Sequence, residues 1–235
     1  MNGARLSRKV HKWLSLAVGL QLLIWAASGF YMVAVRIDII HGDMLVSNMA
    51  TPVAVADADG ATVAGLLQRY PDATGITLDS LAGEAVYRLD TPAGQRLVNA
   101  GNGESLPPLD EASALSVARY HYADSGEVTS VEYINRNPPS EIGALPLPVW
   151  RVNFDDRWGT SFYILPDSGR FATRRHTLWR IFDFLWMLHI MDYEERENVN
   201  NRLLQGVSVA ALMFAASGTW LLLYSFRRPR RERPA

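Results

Sequence analysis

Charge is absent from two long stretches of the chain and frequent almost everywhere else. From Trp13 to Val35 the sequence runs WLSLAVGLQLLIWAASGFYMVAV, and from Leu203 to Phe226 it runs LLQGVSVAALMFAASGTWLLLYSF. An α-helix rises about 1.5 Å per residue, so each stretch can cross roughly 30 Å of hydrocarbon. The pattern predicts two transmembrane helices, 13–35 and 203–226, with a mixed polar and apolar segment between them.

That segment repeats itself. Residues 86–105 line up with 149–170: an aromatic and an arginine sit in an alternating strand, Val86-Tyr87-Arg88-Leu89 and Val149-Trp150-Arg151-Val152. A polar turn with glycine follows, then a second alternating strand that ends in a small or acidic residue before glycine, which is a hairpin pattern. Upstream of each hairpin lies a helical stretch, Ala61 to Tyr70 and Asp110 to His121, and then a further strand carried by Ile76, Leu78 and Leu81 in one copy and by Val128, Val131, Tyr133 and Ile134 in the other. The unit reads α-β-β-β and occurs twice, over 36–108 and 109–175. Two small antiparallel sheets, each covered by one helix, would give every sheet a face to bury. The run from Asn137 to Pro148 is proline-rich and reads as a loop.

A third apolar element precedes the last span. Residues 176–193 carry apolar side chains at 178, 181, 182, 185, 186 and 188, which is helical spacing. The segment is too short and too charged to cross a bilayer, so it predicts an amphipathic helix at the membrane surface, with Trp179 and Trp186 at the interface. Arg180 and Asp183, three apart, are placed to pair on its polar face.

Charge then orients the chain. Arg5, Arg8, Lys9 and Lys12 precede the first span, and Arg227, Arg228, Arg230, Arg231 and Arg233 follow the second. Basic flanks stay on the cytoplasmic side, so both tails, 1–12 and 227–235, are expected in the cytoplasm and the domain between the spans outside it. With a net charge of −1 overall, residues 13–226 carry about −9, so the external domain is acidic. Ala26, Ala27 and Ser28 would suit signal cleavage, but the apolar run continues past them further than an h-region does, which favours an uncleaved anchor. There are no cysteines, which removes disulfides, thiol catalysis and cysteine metal ligands together.

On these residues the chain resembles the PepSY proteins. The α-β-β-β unit ending in Pro166-Asp167-Ser168-Gly169 is similar to a PepSY domain. The opening run Arg8-Lys9-Val10-His11-Lys12-Trp13-Leu14, the Ser28-Gly29 pair, and the run Leu188-His189-Ile190-Met191-Asp192-Tyr193 leading through Asn198, Asn200 and Asn201 into the last span resemble PepSY-associated transmembrane proteins. The likeness covers nearly the whole chain. It implies a bacterial inner-membrane protein with its PepSY units in the periplasm and a role beside iron uptake, redox or envelope proteolysis. Larger relatives of about four spans resemble ferric-siderophore reductases that bind haem b; this chain has two spans.

The resemblance directs attention to histidine, a common axial ligand of haem iron. His189 sits on the apolar face of the pre-membrane helix, His41 lies six residues beyond the first span near the same membrane surface, and His11 lies at the cytoplasmic edge. His41 and His189 are the pair that topology places at one level; His11 is a membrane thickness away from His189 and cannot share its iron. A structural hydrogen bond for His189, and a solvated turn or weak cation site with Asp38 and Asp43 for His41, are the plainer readings. His121 and His176 stand in no ligand-like spacing.

Two functions follow. In the first, the spans hold an acidic PepSY pair that binds an envelope or inner-membrane partner, or a second copy, with exposed hairpin edges available for strand addition. In the second, the chain is a small haem b protein passing electrons across the membrane, and its ligand count then requires a dimer or another subunit. No hydrolase or phosphate-binding motif is present, and the clustering of basic residues in the short tails beside an acidic external domain argues against nucleic acid as the expected partner. Both spans also contain the tetrad Ala-Ala-Ser-Gly, at 26–29 and 215–218, whose small residues allow close approach by a helix or a flat cofactor.

Overall fold

The computed structural model describes residues 3–47 and 61–226, so the C-terminal arginines lie outside the described residues. The protein is α+β with two antiparallel sheets. It divides into two compact units, one made from the two ends of the chain (Met1–Arg36 and Ile181–Ala235) and one from Ile37–Arg180.

The first unit is helical: α1 (Gly3–Ala34), most of a helix labelled α5 below (Thr177–Ile190), and α6 (Arg202–Phe226). α1 runs unbroken through the basic N-terminal residues, so most of the expected tail forms its first turns. Among the described residues α6 is the helix long and apolar enough to cross a membrane, while α1 carries a shorter apolar stretch, Val18–Ala34. The two pack against each other, yet both turn large apolar side chains outward: Leu20, Phe30 and Leu212 are each about 70 % exposed. Helices buried in a water-soluble core do not do this.

α5 stops at Ile190 because Met191 adopts a left-handed backbone, φ 56°. The turn to α6 is then organised by one carboxylate. Asp192 accepts the backbone N–H groups of Glu194, Glu195, Glu197 and Asn198, and these bonds, led by that from Asn198, hold it below the usual carboxylate range. Asn201 caps α6 by accepting the N–H of Leu204 at 2.8 Å. Arg196 reaches back to pair with Asp183, and its carbonyl accepts the Trp186 indole N–H at 3.0 Å. The Arg180–Asp183 pair expected from spacing does not form: each residue has found a partner distant in sequence, and such contacts outcompete an exposed helix-face pair.

The second unit holds both copies of the repeat. After the short helix α2 (Ile37–His41), the first copy is α3 (Val63–Arg69) and strands β1 (Gly75–Leu81), β2 (Glu84–Thr91) and β3 (Gly94–Asn99). The second is α4 (Glu111–His121) with β4 (Val128–Ile134), β5 (Val149–Phe154), β6 (Ser161–Ile164) and β7 (Phe171–Arg175). The sheets are separate, ordered β1-β2-β3 and β4-β5-β6-β7. The α-β-β-β order holds in both copies; β7, too polar in sequence to suggest a strand, is an addition in the second.

The duplication extends to side chains. Thr62 and Asp110 cap α3 and α4 by accepting the N–H of Gly65 and Ser113. Each middle-strand arginine pairs with an acid on the strand before it, Arg88 with Asp79 at 2.7 Å and Arg151 with Glu132 at 3.8 Å. Past the third strand each copy places a glycine in the left-handed region, Gly103 at φ 69° and Gly169 at φ 60°. At Gly169 a Cβ would lie 2.5 Å from Leu81 Cδ1, so the packing of the two copies also demands glycine there. Leu66, Tyr70 and Leu89 centre one core, while Val117, Phe162, Ile164 and Phe171 centre another that Val86 and Leu97 of the first sheet also enter.

The proline-rich loop is not a mere connection. Its Ile142 packs on Val149 and Tyr163, and the neighbouring Glu141 accepts hydrogen bonds from Tyr163 Oη at 2.5 Å and Arg180 Nε at 2.6 Å. Burial alone would raise the Glu141 carboxyl, but the bonds from Arg180 and Tyr163 outweigh it and hold the group below its ordinary range. Burial lowers His121 and His176; His176 is fully enclosed and bonds the Ile40 carbonyl through Nε2 at 3.0 Å.

A histidine harder to protonate when folded leaves the unfolded chain with more bound protons below its ordinary pKa, so stability falls as pH drops from about 6.5. Glu141, depressed in the fold, adds a further loss only as pH falls through the carboxylate range. The thermal midpoint of the detergent-solubilised chain should therefore be level from pH 8 to 7 and decline between pH 6.5 and 5. His176→Asn, which keeps a donor for Ile40, should flatten that decline. An unchanged slope in this variant would show that His176 does not contribute to it.

Candidate functional site

The last turn of any α-helix leaves carbonyls without intrahelical partners, and in an apolar setting each needs a donor. At the end of α5 three of these carbonyls are taken by side chains from α1 and from the residue that caps α6. Gln21 Nε2 donates to Leu188 O at 3.3 Å, Trp25 Nε1 to His189 O at 2.8 Å, and Asn201 Nδ2 to Ile190 O at 2.8 Å. His189 is thereby fixed at the backbone by α1 on one side and by the cap of α6 on the other.

Its ring is fixed as well. Nδ1 of His189 lies 2.8 Å from Ser28 Oγ, in the Ala-Ala-Ser-Gly tetrad of α1, and Gly29 keeps the space beside the ring free of a side chain. The same arrangement recurs between α1 and α6, with α1 now supplying the histidine. Nδ1 of His11 on α1 lies 3.0 Å from Ser217 Oγ, in the tetrad of α6, and the ring stacks on Phe214 at 4.5 Å. At Gly218 a Cβ would stand 3.1 Å from His11 Cε1, so glycine is what allows that approach. Each tetrad receives a histidine.

Counting protons assigns the tautomer. A serine hydroxyl has one hydrogen, and Ser28 is 2.7 Å from the Ile24 carbonyl while Ser217 is 2.8 Å from that of Phe214. If each serine donates to its own helix, its oxygen accepts from the imidazole, Nδ1 carries the ring proton, and both hydrogens are bonded. If the serine donated to the ring instead, the proton would sit on Nε2, which has no acceptor among the described residues. The first arrangement has one hydrogen bond more, worth about 1 kcal/mol, and no orphaned donor. In that arrangement Nε2 of each ring keeps its lone pair free, and both rings are half-buried rather than sealed.

The two pairs stand at different heights. Ser28 and His11 are seventeen residues apart on one helix, so the two imidazoles are separated by about 25 Å along α1. This is close to a hydrocarbon thickness.

His41 belongs to the second unit. It ends α2, is exposed, and offers its backbone carbonyl to Arg174 Nε at 2.7 Å beside a shallow cavity of about 180 Å³ bordered by Thr173, Arg175 and Trp179. The adjacent Asp43 is paired with Arg174, which takes up the charge a cation would need. Of the three candidate histidines, His11 and His189 share one kind of site and His41 has another. Sequence reading singled out the tetrads as places of close approach; it missed the serines as acceptors for these two histidines, although two Ser-Gly steps and two histidines near the ends of two apolar helices were the available signal.

No family model, curated protein or solved structure matches the chain.

Ser28→Ala removes the acceptor of a half-buried imidazole N–H and should lower unfolding free energy by about 1–2 kcal/mol, as should Ser217→Ala. Because the pairs share no partner, the double variant should lose the sum of the two, read from denaturant midpoints in detergent. Marked non-additivity would show that the two ends are not independent.

Proposed function

We propose that the chain is a haem b-binding electron-transfer protein of PepSY type, spanning the bacterial inner membrane twice. In this reading α1 and α6 are the spans, the termini face the cytoplasm, and the acidic double α-β-β-β unit lies in the periplasm. The outward apolar side chains of both helices, the basic flanks and the resemblance in sequence support the placement.

The observation that carries the reading is the pair of histidines whose Nδ1 protons are held by serine. Protein ligands to a metal need a bare nitrogen on one side of the ring and a partner for the N–H on the other, which fixes orientation and raises basicity. His11 and His189 both meet that requirement, one toward each end of the helix pair. The donor set fits haem iron: neutral imidazole is a standard axial ligand, and each ring is seated against a helix at a glycine, Gly29 for His189 and Gly218 for His11. When bound, haem b supplies reversible one-electron chemistry. The chain's part is to fix each imidazole, hold its tautomer, and keep the surroundings apolar.

Dithionite reduction of the detergent-purified chain should give a b-type visible spectrum, about half of it lost in His189→Ala and about half in His11→Ala. His41→Ala should leave it unchanged. A folded, colourless protein would sink this reading and leave the accessory one, in which the periplasmic units bind an envelope partner.

A further inference from the structure

We propose that the corner of the second unit formed by α2 and β7 binds the phosphate of a phospholipid headgroup from the outer face of the bilayer. This rests on the two-span placement above and not on haem.

β7 is the edge of its sheet, and successive residues of a strand point to opposite faces, so Arg174 and Arg175 straddle that edge. Oxygen acceptors lock both in place. Arg174 Nε donates to His41 O at 2.7 Å and its Nη2 pairs with Asp43, while Nη1 has no acceptor among the described residues. Arg175 Nε donates to Glu141 O at 2.8 Å, and its Nη1 donates to Arg174 O at 2.8 Å and to Thr173 Oγ1. Its guanidinium carbon stands 3.9 Å over the ring of Trp179. These residues border the cavity of about 180 Å³ described above. Guanidinium groups already held in place suit phosphate, because the fork matches its oxygens and little side-chain entropy is left to lose.

The balance of charge favours an anion. Two guanidinium groups meet one carboxylate, that of Asp43; Glu141 lends Arg175 its carbonyl and spends its carboxylate on Arg180 and Tyr163. The corner is therefore positive within a domain that is acidic as a whole.

The surroundings favour a lipid as the source of that phosphate. α1 ends at Ala34 and α2 begins at Ile37, while Trp179 stands just before Ile181, where the chain re-enters the helical unit. Both junctions between the units thus adjoin the cavity in sequence, and under the two-span placement they are where the chain leaves and rejoins the outer membrane surface. Ile37 and Met44 are exposed although their segment is pinned: Ile40 and Leu45 are buried, and Ile40 O accepts His176 Nε2 at 3.0 Å. Apolar and aromatic side chains beside fixed cations suit the boundary between headgroups and acyl chains. A water-soluble phosphate gains nothing from such a rim.

Native mass spectrometry tests this on the full chain, delipidated in detergent and titrated with phosphatidylglycerol. One tightly held lipid per chain is expected. Arg175→Gln should weaken it about tenfold, the worth of one charge-assisted hydrogen bond. Arg69→Gln, at an exposed arginine beside Tyr70 in the first copy, should leave it unchanged. Asp43→Asn should tighten binding about threefold by removing the carboxylate that competes for Arg174, a gain that misfolding cannot produce. Diacylglycerol, which lacks the phosphate, should show none of these dependences. Equal phosphatidylglycerol affinity in the unaltered chain, Arg175→Gln and Asp43→Asn would overturn the inference. Displacement of the lipid by an equal concentration of glycerol 3-phosphate would overturn the lipid assignment in favour of a soluble phosphate. Alkaline carbonate extraction of membranes, run alongside, checks the placement itself. A chain released with the peripheral proteins would overturn the two-span reading and this inference together; a retained chain whose lipid binding ignores the variants would overturn this inference alone.

Discussion

A serine hydroxyl on an apolar helix has one hydrogen and more than one claimant. At Ser28 and again at Ser217 the claimants include a carbonyl of the same helix and a histidine ring from another, and donation to the carbonyl leaves the serine oxygen free to accept from the ring. The arrangement of the helical unit follows from that constraint. To bring His189 against Ser28, α5 must end at the height of the α1 tetrad, and its last carbonyls must find donors there; Gln21 and Trp25 supply two of them. To bring His11 against Ser217, α6 must run antiparallel to α1 and offer a ring-sized gap, which Gly218 and the flat face of Phe214 provide.

The connection between α5 and α6 is equally constrained. Chain reversal within a dozen residues would strand many backbone N–H groups. Asp192 gathers four of them, and Asn201 serves both helices, donating to the end of α5 and capping the start of α6. The position of His189 is thus determined by residues on both sides of it in sequence as well as by α1. In the proposed reading this rigidity has a purpose, because an axial ligand held from its backbone and from its far nitrogen presents its lone pair in one direction.

Much of the architecture was legible in periodicity. The α-β-β-β repeat, the helix starts near Ala61 and Asp110, and the hairpin ends at glycine are local patterns, and local patterns report their own geometry. What escaped was long-range. β7 lies at the edge of its sheet and only its first residue, Phe171, is buried, so its sequence does not alternate clearly. Glu141 lies in a proline-rich loop with no period to read, although it anchors Arg180 and Tyr163. Arg180 and Asp183 have spacing suited to each other and partners elsewhere. The histidines were found by residue type, but their serines were read as small residues for packing. Pairing His189 with His41 by nearness to a membrane surface could not reveal that Ser28, 161 residues away, was the partner of its ring.

The central claim is that His11 and His189 carry their proton on Nδ1 and keep Nε2 bare. Nitrogen NMR of the full chain, haem-free, in detergent at neutral pH and labelled with ¹⁵N in histidine alone, reads this directly. Two rings assigned by His11→Gln and His189→Gln are expected to show a protonated Nδ1 and an unprotonated Nε2, with the His189 signal moving toward a tautomer mixture in Ser28→Ala. Rings protonated at Nε2 in the unaltered chain would contradict the account.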